Sequence, residues 1–326
     1  MADIPSKLPR YDELPAKPGN PPKTAWGLFG ENDNVGMLNL QTPERLVAAA
    51  RLVKKGATFA MNWEQEKPNP PLYSRGKFRH TVFRDIPFGN HGDDVLDNFY
   101  TQASSQWDAL THVGDYEHGF WGGVKSADLR ESGDKTRLGI DHWARRGIAG
   151  RGVVLDVGRY LASQGRSLDC GDRVEITVDD LEGTRKAQNV AFEDGDVWII
   201  HTGWVEWYEA QGPAVRQNIS VTQNLKTPGL QCSEAMAEYI FNHHPAALVS
   251  DNPALEAWPP PNFIDPDGFL HHWIIGRFGM AIGEMFQLTG LSADCAADHV
   301  YECLFVGAPL NIQGGTGSPP NALAIK

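Results

Sequence analysis

A mixed α/β fold, a sheet with flanking helices, is predicted by three features of the sequence. Gly152 to Val157 and Val197 to Thr202 are short apolar runs rich in β-branched residues, the make-up of buried central strands. Helix-start signals stand before, between and after them, at Thr42, Asp179 and Ser233, and such alternation favours mixed α/β over a pure sandwich. An apolar fraction of 41%, with 10 Trp and 14 Phe, supplies a large core, and 21% charged residues is ordinary for a globular chain.

Residues 1–25 hold six prolines and no periodic apolar pattern, so they are expected to form an extended arm, with one domain over residues 26–326. Thr42-Pro43-Glu44 supplies an N-cap, a proline at the first helical position and an early acid, and apolar residues then recur at helical spacing to Gly56. From Gly56 to Phe99, short apolar pieces broken by Pro and Gly, such as Ala57 to Asn62 and Phe78 to Phe83, predict strands joined by long loops. Asp179 to Lys186 suits a short helix, Ser233 caps a helix over residues 234–242, and Ala246 to Ser250 suits a strand. Ser292 is expected to cap a helix carrying Ala296, Val300, Cys303 and Leu304 on one face, and Gly314 to Pro320 to be loop. The four cysteines, without a CxxC pair, predict buried free thiols.

A formal charge of -12, with no Lys/Arg stripe interleaved with aromatics, argues against nucleic acid as a partner. No apolar run approaches the ~20 residues of a membrane span, and the first residues lack a signal-peptide layout, so no membrane partner and a cytoplasmic location are expected. The Gly314-Gly315 loop lacks the strand and Gly-Lys-Ser/Thr context of a phosphate cradle.

The densest run of potential ligands is Gln102-Ala103-Ser104-Ser105-Gln106-Trp107-Asp108-Ala109-Leu110-Thr111-His112. On one extended segment Gln102, Gln106 and Asp108 would share a face, because strand periodicity is two. A carboxylate beside amide oxygens and an imidazole suits a hard or borderline cation. A second cluster, Phe269-Leu270-His271-His272, precedes Glu284 in the apolar stretch Met280 to Leu288, where an acid needs a partner or a raised pKa. His201 closes a buried strand and either lines the pocket or is a core histidine, while Trp107, Trp121 and Trp204 are candidates for an aromatic wall against a ring substrate.

These residues resemble the putative cyclase family, which includes bacterial-type kynurenine formamidases, isatin hydrolase and trans-dienelactone hydrolase. The family pattern His-x-Gly-Thr-His-x-Asp-x-x-x-His fits Gln102 to His112 without gaps, and further matches, among them Gly36-Met37-Leu38-Asn39, His201-Thr202-Gly203-Trp204 and Ala308-Pro309-Leu310, span nearly the whole chain. The resemblance implies the swivelling β/β/α fold and a homo-oligomer, a dimer or tetramer. It also implies metal binding by Asp108, His271 and Glu284, and acid/base work by His112. His272 is the alternative to His271, standing one residue nearer Glu284.

The departure is that the first two histidines of the pattern are Gln102 and Gln106 here. Amides are poorer zinc ligands than imidazole, so one metal held by Asp108, His271 and Glu284, with help from Gln106 and with Gln102 as a further alternative, is the expectation, and the oxygen-rich set suits manganese as readily as zinc. The activity implied is metal-dependent hydrolysis of a small cyclic or aromatic substrate: a lactone, a cyclic imide or an N-acyl arylamine. Two other readings are a lyase or cyclase acting through an enolate at the same site, and a metal-free binding protein.

Overall fold

The computed structural model describes residues 4–84, 90–129, 136–265 and 267–326. Its strands are β1 (Thr58–Ala60), β2 (Arg79–Phe83), β3 (Asp93–Asp97), β4 (Gln106–Asp108), β5 (Ile148–Asp156), β6 (Glu175–Ile176), β7 (Val197–His201), β8 (Gly229–Leu230), β9 (Ala247–Ser250), β10 (Ala281–Glu284), β11 (Glu302–Gly307), β12 (Gly317–Ser318) and β13 (Ala322–Ile325). The α-helices are α1 (Pro43–Ala50), α2 (Ile140–Arg146), α3 (Val157–Ser163), α4 (Val178–Ala187), α5 (Trp204–Ala210), α6 (Pro213–Ile219), α7 (Glu234–Asn242) and α8 (Thr289–Asp298).

Nine strands form one mixed sheet in the order β1-β13-β11-β5-β7-β9-β10-β4-β12. Its centre, β5-β7-β9-β10, is parallel, and antiparallel strands extend it on both sides. The mixed α/β architecture with flanking helices is the one expected. β7 and β9 are buried along their whole length, which explains why they read as continuous apolar runs and not as alternating ones. The carboxyl ends of the parallel strands bring together Asp156, His201, Asp251 and Glu284, the place where open α/β sheets gather chemistry.

Helix starts follow the capping logic. The Thr42 side chain accepts from Arg45 N, the Ser233 side chain from Met236 N, and Thr177 forms a capping box with Asp180 at the head of α4. α1 ends at Ala50, short of Gly56, because Pro43 to Ala50 already covers the strand it packs on and the following residues turn toward β1.

Three expectations are corrected. Ser292 does not cap a helix carrying Cys303 and Leu304. It lies inside α8, where its Oγ donates to Asp156 Oδ2 at 2.6 Å, while Cys303 and Leu304 belong to β11, whose burial alternates with period two between β5 and β13. Gly314 to Pro320 is not all loop either: Gly317 and Ser318 pair with Asp108 and Trp107 as β12. Of the cysteines, Cys170, Cys295 and Cys303 are buried free thiols, whereas Cys232 is only half-buried.

The described part of the arm is tied to α7. Tyr11 is buried, its N–H donates to Asn242 Oδ1 at 2.8 Å and its hydroxyl to Glu234 Oε1 at 2.9 Å. Two small β-units stand outside the main sheet. One is the β6-β8 pair, and the other is the β2-β3 hairpin, exposed along its whole length.

Candidate metal centre

The site is built where β4 runs antiparallel to β10, with Glu284 opposite Gln106 and Ile282 opposite Asp108. Gln106, Asp108 and Glu284 therefore project from one face, and Trp107 from the other. Gln102 is not on that strand as expected but in the turn before it, and it reaches the same face from there. Gly317, opposite Asp108, leaves the room for it: a Cβ at Gly317 would stand 2.5 Å from Gln102 Cγ.

His271 enters from the end of a different segment, immediately ahead of a π-helical turn over His272–Arg277. Adjacent helical residues diverge by roughly 100°, so only one of the two histidines can face the strands. His271 does, and His272 lies edge-on to Phe269, 5.3 Å between ring centres. Among the described residues, Asp108, His271 and Glu284 form a group whose ligand atoms all lie within 4.8 Å of one another, and all three are buried.

The donor set fits a single divalent cation. His271 Nε2 stands 3.2 Å from Glu284 Oε1 and 3.8 Å from Asp108 Oδ2. Ligand atoms around an ion with bonds near 2.1 Å lie roughly 3.0–3.4 Å apart. Asp108 Oδ2 is buried and has no hydrogen-bond partner among the described residues, an unmet acceptor that a cation would satisfy. Glu256 accepts from His271 Nδ1 at 2.9 Å, fixing the tautomer that turns the Nε2 lone pair toward the two carboxylates, and Phe269 stacks on the ring at 4.5 Å. In the sequence Glu256, with Asp251, is one of the further matches to the family and is given no role in the site. Its signal was a buried acid between Leu255 and Ala257, and Gly229 lets its backbone approach, since a Cβ there would lie 2.3 Å from the Glu256 carbonyl carbon.

Gln106 does not lend an oxygen to the group. Its Oε1 accepts from Arg75 Nη1 at 3.3 Å, while its Nε2 donates to Glu284 Oε2 at 2.7 Å and to Asp108 Oδ1 at 3.2 Å. The reverse amide orientation would set oxygen against two carboxylates and nitrogen against a guanidinium, so electrostatics selects this one. Gln106 thus holds the Asp108 and Glu284 carboxylates through its amide nitrogen. Gln102 Nε2 likewise donates to Asp108 Oδ1, and it lies 3.1 Å from His112 Nδ1. The neutral His112 ring then carries its proton on Nε2, which stands 3.9 Å from Asp108 Oδ1.

Burial raises the Asp108 carboxyl, but the His112 and His271 imidazoles and Arg75 outweigh it and hold the group below the usual carboxylate range. Burial and the Asp108 charge push Glu284 up. Burial opposes charging of His271, yet Glu256, Asp108 and Glu284 around it win and raise it well above an ordinary histidine. Burial lowers His112.

The expected aromatic wall is not assembled. Trp107 packs between Phe286 and Phe305 behind the sheet face, Trp121 donates to Asp33 Oδ2 at 2.9 Å, and Trp204 packs with Trp63 and Tyr208 in a separate cluster. All three indoles are fully buried, so they are core residues here.

His201 forms a second group with Glu206 and Asp251. Its Nδ1 meets Asp156 Oδ1 at 3.0 Å and its Nε2 meets Glu206 Oε1 at 2.9 Å, while the Asp251 oxygens accept the Thr202, Gly203 and Trp204 N–H groups at the head of α5. With both nitrogens and both Asp251 oxygens engaged, this group is an internal ion-pair lock. Burial disfavours the charged ring, but Asp156, Glu206 and Asp251 outweigh it and raise its pKa well above the ordinary value. That stabilisation is complete below the unfolded pKa of about 6.5 and is lost as pH rises through the higher folded value. Melting temperature should therefore fall between pH 6 and pH 9 more steeply in the wild type than in His201→Gln. At pH 6 the variant should be less stable by about 3–5 kcal/mol, as for one partner removed from a buried pair. Parallel melting curves for the two proteins would show the lock to be unimportant.

The model of the putative cyclase family matches residues 53–257, and a crystal structure described as a novel cyclase superposes with a TM-score of 0.80 at 32% identity, covering 93% of this chain and 99% of that one. The chain belongs to the putative cyclase family. Two isatin hydrolases share the cyclase fold at greater distance. The one from Labrenzia aggregata, bound to benzyl benzoate, has a TM-score of 0.57 at 18% identity over 86% of this chain and 97% of its own, and the one from Ralstonia solanacearum has 0.55 at 16% over 87% and 98%. No curated protein matches the sequence. This cyclase-family chain has no helix, among its described residues, long and apolar enough to cross a membrane.

Proposed function

We propose that the protein is a metal-dependent hydrolase that opens a cyclic ester or amide, or cleaves an N-acyl arylamine. The observation that carries this reading is the convergence of Asp108, His271 and Glu284 from three segments, with Glu256 holding the far nitrogen of His271. Gln102 and Gln106 act as donors to the carboxylates, which favours one divalent ion, manganese or zinc, over two. A bound divalent ion would activate water and polarise the substrate carbonyl.

His112 is the proton carrier of this proposal. In the orientation described, its Nε2 proton is the one to be given to the leaving nitrogen or oxygen. The same Gln102 nitrogen is held by Asp108 Oδ1, and turning the amide over would set its oxygen against that carboxylate, so Gln102 keeps its donor toward the ring. Gln102 therefore positions the His112 ring, with Nε2 as the nitrogen that exchanges protons at the centre.

Two measurements test the proposal together: metal content of the purified protein by mass spectrometry, and a screen on lactones, cyclic imides and N-formyl arylamines in oxygen-18 water. One equivalent of manganese or zinc and one labelled oxygen in a new carboxylate are expected. Turnover without label would replace hydrolysis by the enolate-forming lyase reading, and a protein with no metal and no turnover would be a binding protein.

A further inference from the structure

Arg75 is the guanidinium beside the metal centre. It is half-buried, and among the described residues its guanidinium makes no ion pair and a single hydrogen bond, the 3.3 Å contact from Nη1 to Gln106 Oε1. Four of its five N–H donors are left over. In a chain of net charge -12 an arginine beside a cluster of carboxyls, yet paired with none, is unusual. Its place is built. The two preceding residues, Tyr73 and Ser74, both take the left-handed backbone conformation, with φ of 55° and 58°, and the guanidinium lies 5.2 Å over the Tyr73 ring. Tyr73 is anchored in turn by its hydroxyl to Pro253 O at 3.1 Å and by an edge contact with Trp258. Two consecutive residues held in that conformation store strain of the kind that persists where a side chain must be aimed.

Arg75 faces a cavity of about 370 Å³ lined also by Phe99, Tyr100, Gln102 and Thr316. Gln102 forms its inner wall and touches Asp108 and His112 on the other side, so the cavity adjoins the reacting centre. The pocket thus offers a planar cation and two aromatic residues, one side chain away from Asp108. We infer that Arg75 and this cavity form a subsite for a carboxylate carried on an aromatic ring, an anionic group of the substrate distinct from the bond that is broken. The carboxylate that hydrolysis creates would arise beside Asp108 and Glu284, with Gln106 standing between it and Arg75, so Arg75 reads a second carboxylate. The word substrate rests on the proposed hydrolase function, but the anion subsite itself does not.

The test uses benzoate and its uncharged isostere benzamide as probes, titrated by calorimetry into chelator-treated protein. Wild type should bind benzoate saturably at millimolar concentration and benzamide at least 10-fold more weakly, Arg75→Gln should lose roughly 10-fold or more in benzoate affinity, and Arg75→Lys should fall between them. Equal binding of the two probes, equal binding by Arg75→Gln, or no benzoate binding by the wild type overturns the subsite. A second arm compares ring-carboxylated and uncharged members of any ester or amide pair the protein hydrolyses. Arg75→Gln should raise KM for the carboxylated member alone, whereas an equal loss of kcat on both would assign Arg75 to the product carboxylate and overturn the inference. Arg75-dependent benzoate binding in a protein that holds no metal would remove the hydrolase reading and leave the subsite standing.

Discussion

Asp108→Asn is expected to fold, to lose its metal and to lose turnover by roughly 10³-fold or more, since a catalytic ion supplies several kcal/mol of transition-state stabilisation and each 1.4 kcal/mol is tenfold. Without a cation, Asp108, Glu284 and Glu256 crowd one imidazole, and Asp108 Oδ2 is a buried acceptor with no donor among the described residues. Replacing that charged group by an amide relieves Glu284 but removes the anion that the His112 and His271 imidazoles and Arg75 hold below the usual carboxylate range, so in chelator the folded variant should melt no higher than the wild type. Adding manganese or zinc should raise the wild-type melting temperature by mass action on the folded state and leave the variant unmoved. A variant that keeps full metal and normal turnover would remove Asp108 from the centre. One that unfolds in chelator would make Asp108 a structural residue first.

The second large effect belongs to His112. His112→Ala should retain its metal and lose about 10²–10⁴-fold in kcat, the range for a general acid/base. Its ring stands 6.4 Å, centre to centre, from that of His271, and its Nε2 is 3.9 Å from Asp108 Oδ1, near enough to exchange protons at the centre without belonging to the three-residue ligand group. Gln102→Ala is the companion variant. It leaves the imidazole in place but frees its tautomer, so it should lose less than His112→Ala while broadening the pH profile. Loss of metal from a folded His112→Ala would make His112 a ligand.

Local signals and one extended motif determined a good part of this protein. The buried strands β7 and β9 and the second half of β5 announce themselves as short apolar runs because both faces of a parallel sheet are covered, and α1 and α7 by caps at Thr42 and Ser233 that act within one turn of chain. The run from Gln102 to His112, with His271 and Glu284 far along the chain, pointed to the family and to a candidate ligand set, since those residue types carry their chemistry wherever they stand.

Only the tertiary structure decided how they meet. The choice between His271 and His272 turns on a helical rotation of one residue, invisible until the π-turn is placed against β10. Whether Gln106 offers oxygen or nitrogen depends on Arg75, thirty-one positions away, and the buried role of Glu256 depends on a loop packing against Gly229. The tryptophans were misleading for the same reason: an indole suits a core and a pocket equally, and its neighbours, not its identity, put Trp107, Trp121 and Trp204 inside. Cys303 and Leu304 suited a helical face as well as a strand, and the open edge of β5, which needed an antiparallel neighbour for its backbone groups, settled them as β11.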